Sequence, residues 1–348
     1  MNHIKKQKLE NFLTRVLLKN NVDYEVAKLT VNGLLHASLR GVDSHGIRLF
    51  FHYLKSLNSG RINPNPKFKF EQTSPSTGIL DANHTFGHAA GIKAMDYSIS
   101  LANKSGSGHV AVKNSSHCGS LSYFALEACK NDMIGVAYTN ATSRLKSANG
   151  TREFFGNNPM CFTAPLMDED PFCYDGATSL ITFNEVRRYR DLGLELPPGV
   201  VADKKGNITK DPNEANQLIP IGDYKGFALS MIVDVFCGIL TGMPVGRDVS
   251  QMFGDEKILK QKRYLGQFYS SYSIDKFIPK NLFKERLQNL VNTIREEPSI
   301  NKNNPVLVPG DIEKNNFKER LLKGLPIPNE DFKRFKEIER EYLNEDLL

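Results

Sequence analysis

From Gly41 to Arg48 the chain reads GVDSHGIR, which places a carboxylate, a hydroxyl, an imidazole and a guanidinium between Asp43 and Arg48. Histidine titrates near neutral pH and can pass a proton in either direction. If a helix begins here, Arg48, three residues on, shares a face with His45. Protonated, that pair suits an anionic substrate with a reducible carbonyl. The competing reading is structural: Asp43 or Ser44 caps a helix that starts at Ile47. A second polar cluster, KNSSHCGS (Lys113–Ser120), carries His117 at a strand end just before a helix. Open α/β sheets gather ligand groups there, and free helix N–H groups favour an anion; the plainer reading is an N-cap by Ser120. FGNNPMCFTAP (155–165) and YDGATS (174–179) add turn residues with hydroxyl and amide donors. GDYKG (222–226) sets Lys225 at the mouth of an apolar helix, where a snorkelling lysine is the routine explanation.

Several chemistries are excluded. GSGHVA (106–111) fits G-x-G-x-x-A, but a helix precedes it and a strand follows, the reverse of what a dinucleotide fingerprint needs. It reads as a helix-ending glycine turn. No P-loop and no G-x-S-x-G elbow occurs. His84 and His88 stand four apart, yet with Gly87 between them they read as a turn entering a helix, so no metal site is expected. Five cysteines without a C-x-x-C pair argue against a disulfide framework and for a reducing setting. The net charge of +6 is dispersed over the chain, so no nucleic-acid partner is expected. The N-terminal stretch reads as an amphipathic helix rather than a signal peptide. The apolar run 227–242 is short for a membrane span and carries Asp234, so it reads as a buried core helix. A cytoplasmic protein without a membrane partner is the expectation.

Positioning these groups requires two helices over residues 4–39, stopped at Gly41, and a third from Ile47 to about Leu57. From residue 76 onward strands and helices alternate, which predicts an α/β core. Further helices are expected near 185–193 and 281–296, with a charged, exposed one at 329–343.

The stretches GVDSHGI (41–47), GRINP (60–64), GIKAMDYSISLA (91–102), VAVKNSSHCG (110–119) and MIGVAYTNA (133–141) form an ordered set. It continues with FGNNP (155–159), DGATS (175–179), PPGVVADKKGNITKDP (197–212), GDYKGFALSMIVDVFCGILTG (222–242) and VPGDIEK (308–314). Together they resemble the malate/L-lactate dehydrogenase family of NAD(P)-dependent oxidoreductases outside the Rossmann class. The resemblance implies an α/β fold whose core is a non-Rossmann mixed sheet binding NAD or NADP. It also implies a helical part in which residues 1–75 pack with 315–348 around a central region 76–314, and a homodimer.

The implied activity is hydride transfer between NAD(P)H and a small anionic 2-oxo or 2-hydroxy acid. His45 would be the general acid/base, with Ser44 beside it and His117 as the second pocket histidine. Arg48 and Asn140 would hold substrate. Asp175, Thr178 and Ser179 would lie near the nicotinamide. Tyr224 and Lys225 would touch the cofactor, and the turn Pro309, Gly310, Asp311 would close on it. A cyclic-imine reductase on the same scaffold and a non-catalytic cofactor-fold binding protein are the alternatives. The sequence also departs from the family pattern. Leu49 stands where an arginine is usual, Phe51 replaces a proline and Ser122 a glycine. SANG (147–150) and LITFNE (180–185) replace the usual P-x-G-G and R-G-K-type turns.

Overall fold

The computed structural model describes residues 1–301, 303–345 and 347–348. Its centre is a mixed seven-stranded sheet. In chain order the strands are β1 (Lys69–Gln72), β2 (Thr77–Asp81), β3 (Ser107–Ser115), β4 (Met133–Thr139), β5 (Met160–Ala164), β6 (Phe172–Gly176) and β7 (Leu265–Ser273). Their spatial order is β1-β2-β3-β7-β4-β5-β6. Only β2 and β3 pair in parallel. The helix α4 (Gly87–Ser105) makes that crossover and ends at Gly106, whose φ of +88° supplies the left-handed turn into β3. GSGHVA is therefore a helix stop followed by a strand, as its context requires.

Helix α4 and helix α5 (Ser122–Cys129) cover one sheet face over a core that includes Leu80, Met95, Val110, Phe124 and Tyr269. Helix α7 (Tyr224–Asp234) continues through a π-helical turn, Val235–Ile239, and covers the other face with Val233, Phe236 and Cys237. The expectation of a fully buried helix here is corrected. Met231, Ile232, Val235, Ile239 and Leu240 are exposed on its outer side. Among the described residues no helix is long and apolar enough to cross a membrane.

The N-terminal helices α1 (Lys6–Lys19), α2 (Tyr24–Leu39) and α3 (Phe50–Asn58) share one apolar cluster with the end of the chain. Leu9, Phe12, Leu13, Val16 and Leu17, spaced for one helix face, are all fully buried. A short pairing of Asn2–Ile4 with Leu325–Ile327 lies outside the sequence expectation. The last helix is not simply a charged exposed one: Phe335 packs against Phe12 and Phe51, and Asp331 and Glu339 are buried.

A second, five-stranded sheet of very short strands joins 145–146 and 153–155 to segments between 201 and 218. Helix α6 (Phe183–Asp191), capped by Thr182, sends Val186 into its small core with Leu145, Val201 and Leu218. Arg61, fully buried, binds the carbonyls of Gln251, Met252, Ile258 and Gln261 at 2.6–3.1 Å.

Candidate active site

The α2–α3 connection, the mouth of the large sheet and the small sheet meet at one cleft of about 250 Å³. That is just below the ~300–1,000 Å³ common for small-molecule sites. Ser44, His45, His117, Asn140 and Asp175 all line it.

Helix α2 ends at Arg40, and Gly41 turns the chain at φ +84°. Two single 3-10 turns follow, Asp43–His45 and Ile47–Leu49, and the helix expected from Ile47 begins only at Phe50. Neither Asp43 nor Ser44 caps a helix. The Asp43 carboxylate receives both arms of Arg320, at 2.5 and 2.9 Å. Ser38 Oγ instead accepts the Ile47 N–H at 2.9 Å. A Cβ on Gly46 would fall 2.0 Å from that oxygen, which explains the glycine after the histidine. Asn184, at the start of α6, donates to the Ser44 carbonyl at 3.1 Å and so ties the small-sheet unit to the loop.

The result holds His45 Nδ1 2.9 Å from Ser44 Oγ. The His45 and His117 rings face each other in near-parallel planes, 5.8 Å between centroids. His117 Nδ1 accepts from the Tyr53 hydroxyl at 2.6 Å and from the Gly119 N–H at 3.3 Å. Its ring proton therefore sits on Nε2. Burial lowers the pKa of both imidazoles; the Asp175 carboxylate opposes this at His45, whereas His45 itself adds to it at His117. Asp175 is held by the Ser120 hydroxyl at 2.7 Å and the Ser122 N–H at 2.8 Å. Ser120 thus serves this carboxylate and is not an N-cap. Ser122, the departure from the family glycine, also meets His36 Nε2 at 3.2 Å.

Asn140 is buried and donates to the Pro244 carbonyl at 2.9 Å, while its Oδ1 has no partner. Thr178 and Ser179 are buried and hydrogen-bond to backbone carbonyls, of Asn157 and Ile181 respectively. Their backbone bonds to 219–221, next to the turn before α7. Tyr224 and Lys225 are exposed and lie outside the cleft lining. Pro309 O meets Cys173 N on β6, two residues from Asp175. Asp311 is buried and bound to Arg295, and of this late turn's helix Glu313 reaches the cleft. The assignment of Arg48 to substrate is corrected. Arg48 pairs with the buried Asp331 of the last helix at 2.9 Å and is absent from the cleft. In the position where an arginine is usual, Leu49 is buried in the helical core.

Sequence reasoning missed Tyr53, Arg144, Arg187 and Arg263. Tyr53 lies eight residues after His45, a spacing that signals nothing by itself. The arginines come from three separated segments.

Two facing imidazoles, one oriented by a phenol and the other by a hydroxyl and a nearby carboxylate, can move a proton to or from an oxygen placed between them. A nicotinamide fits the remaining groups. Asn140 lines the cleft, and its buried Oδ1 is an orphan acceptor of the kind a carboxamide N–H satisfies. Gly176 and Ala177, beside Asp175, leave the wall small enough for a flat ring.

Known proteins resemble this chain along nearly its whole length. The family profile described as Malate/L-lactate dehydrogenase matches residues 4–336. A malate dehydrogenase of Pyrococcus abyssi is 33% identical over 97% of this chain and 94% of its own. A ureidoglycolate dehydrogenase (NAD(+)) of Escherichia coli O157:H7 is 30% identical over 92% and 90%. The crystal structure of malate dehydrogenase from Entamoeba histolytica superposes with a TM-score of 0.93 at 28% identity, covering 99% of both chains. A delta1-piperideine-2-carboxylate reductase from Pseudomonas syringae pvar. tomato superposes at 0.86 with 25% identity, covering 97% and 100%. A match that spans nearly the whole chain in both sequence and fold leads to one conclusion: the chain belongs to the malate/L-lactate dehydrogenase family.

Proposed function

We propose that this member of the family interconverts a small 2-oxo acid and its 2-hydroxy acid, with His45 moving the proton. The observation that carries the reading is the pair of facing imidazoles at the cleft, His45 tied to Ser44 and His117 tied to Tyr53. Bound NADH or NADPH supplies the hydride. His45 gives its proton to the oxygen of the carbonyl being reduced and takes it back in the oxidative direction. His117, with its proton on Nε2, donates a hydrogen bond to the same oxygen and polarises the carbonyl. Asp175 lies close enough to His45 to favour its protonated form. Thr178 and Ser179 support the nicotinamide end of the site, and Asn140, expected on the substrate, is reassigned to the nicotinamide carboxamide by its unpartnered Oδ1. The Pro309–Asp311 turn closes beside β6, and Tyr224 and Lys225 meet the cofactor from the α7 end.

Removing a general acid costs typically ~10²–10⁴-fold in rate. His45→Ala should lose that much kcat while NADH still binds by calorimetry. Near wild-type turnover in the variant would sink the role. The likeness to an imine reductase favours a second reading in which nitrogen replaces oxygen as the proton acceptor. A panel of 2-oxo acids, with and without methylamine, separates the two.

The reading includes a homodimer, supported by the exposed apolar side of α7. It also treats the helices of residues 1–75 with 315–348 as a helical unit that carries the acid/base, and 76–314 as the cofactor- and substrate-binding region. The latter is joined from the first segment by the edge strand β1, Lys69–Gln72, which belongs to the central sheet rather than to the helical part as expected. The cytoplasm is the compartment it implies, where five buried free thiols stay reduced.

A further inference from the structure

We propose that His36 and Ser122 are positioning residues for the acid/base: with Ser120 they form a hydrogen-bonded chain that holds the Asp175 carboxylate where it supports His45. The inference rests on the reading of His45 as the group that moves the proton, and adds to it the residues that set its environment from behind the cleft wall.

The chain has one direction. An ionised carboxylate only accepts, and Asp175 Oδ2 takes the Ser120 hydroxyl at 2.7 Å and the Ser122 N–H at 2.8 Å. Ser120 has then used its one proton, so at the 2.8 Å contact between the two serine oxygens Ser122 is the donor. Ser122 in turn has only lone pairs left for His36 Nε2, 3.2 Å away, and His36 must donate. Burial, with Arg40, Lys130 and His88, pushes the His36 pKa down to about 3. The imidazole is therefore neutral at pH 7, and the chain places its single ring proton on Nε2. Ser120 and Ser122 are both buried, so their hydroxyls depend on these partners.

The chain also joins the two members of the pair through one helix. His36 stands on α2, with its ring 5.5 Å from that of Tyr123 on α5. The end of α2 leads into the loop that carries His45, while His36, Ser122 and Ser120 reach from α2 across the start of α5 to Asp175 on β6. Asp175 is exposed on the cleft wall, and among the described residues no other side chain hydrogen-bonds to it. Without the chain the carboxylate is free to turn into the cleft, where water screens its charge from His45. A glycine at 122, as in the family pattern, leaves His36 and Ser120 unconnected.

Other titratable groups face the pair without replacing this hold. Cys118, Cys161 and Tyr174 feel the Asp175 charge, and burial raises the pKa of each, so they stay neutral near pH 7. His117 stacks on His45, His88 lies within reach of its charge, and Arg40 and Glu313 share the cleft wall. All of these are common to the variants below, so a shift that follows the chain belongs to the chain.

The test follows the His45 ring against pH by NMR of the full chain with labelled histidine, and measures kcat/KM for oxidation of malate and lactate across the same range. In Ser122→Ala, and in His36→Phe, which keeps a ring but no donor, the His45 midpoint should fall by about 0.4 to 1 pH unit, the size of one net hydrogen bond. His36→Gln, whose amide restores an N–H, should recover part of the shift. In an Asp175→Asn background neither Ser122→Ala nor His36→Phe should move the midpoint further, because the effect runs through that carboxylate. A midpoint unchanged in the folded variants overturns the proposal even where thermal stability falls. So does an equal shift in the Asp175→Asn background. If the NMR midpoint moves as stated, yet wild type oxidises no 2-hydroxy acid or the kinetic limb survives in His45→Ala, the hydride-transfer reading fails and the positioning stands.

Discussion

At the scale of single residues, proton chemistry at His45 is set by two opposed influences. The cleft walls strip water from the imidazole and lower its pKa, while the Asp175 carboxylate raises it by a smaller amount. The free enzyme therefore carries His45 neutral at pH 7, which is the form needed to take a proton from a hydroxy acid. kcat/KM for oxidation should rise with pH along an acid limb whose midpoint lies below the ordinary ~6.5 of histidine, and be flat above it. Substituting Asp175 by Asn removes the supporting charge and should move that midpoint lower still. A midpoint above 6.5, or a limb that survives in His45→Ala, would assign the titration to another group. His45 and His117 were legible in the sequence because each sits in a polar cluster at an element boundary. Arg48 was misread for a physical reason. Residue spacing fixes a face only inside a regular helix, and two 3-10 turns rotate it toward Asp331.

At the scale of elements, the cleft depends on connections that carry no chemistry. Arg61 is the plainest case. Its guanidinium gathers four carbonyls from 251–261, and Gln251, Met252 and Phe253 from that segment line the cleft. Arg61→Ala leaves buried acceptors unpaired and should destabilise the fold by about 3 kcal/mol or more. Arg61→Lys should recover little, because an ammonium cannot reach four acceptors spread around a planar fork. Thermal unfolding with and without NADH checks both. The GRINP stretch was recognisable, but the role of its arginine was not, since its partners stand about 200 positions away. Helix α7 shows the opposite limit. Its apolarity was plain, but an apolar run reads the same whether its second side meets the protein's own core or another chain. The strand-and-helix alternation carried the central sheet well, because local patterning suffices for elements. The small sheet, built of pairs of two or three residues, left no period to read.

At the scale of the whole molecule, the exposed row Met231, Ile232, Val235, Ile239 and Leu240 predicts self-association. Sedimentation should give a dimer, and Val235→Glu with Ile239→Glu should shift it toward monomer. A wild-type monomer at micromolar concentration would remove the homodimer from the reading. Several buried or half-buried histidines make stability depend on pH. His88 is fully buried with both ring nitrogens unpaired, and its pKa, like those of His36 and His52, is pushed down to about 3. The unfolded chain binds protons near pH 6.5 while the folded chain refuses them. Stability is therefore complete above pH 6.5 and falls as the pH drops toward 3. The upper limit is about 1.4 kcal/mol per pH unit for each such group. Chemical unfolding between pH 4 and 8 reads this slope, and His88→Asn should flatten it.

The contact between Asp43 and Arg320 has a consequence in time. The loop that aims His45 is made early in synthesis, but its clamp, the Arg48 partner Asp331 and the ring of Phe335 beneath α3 all lie more than 270 positions later. A growing chain can therefore complete its central sheet while His45 is still unaimed. With His45 as the acid/base, catalytic competence should arrive only when the last two helices fold back onto the first three. A chain ending near residue 310 should bind little and turn over nothing, whatever the state of its sheet. Adding residues 311–348 as a separate peptide is the direct way to watch the site assemble.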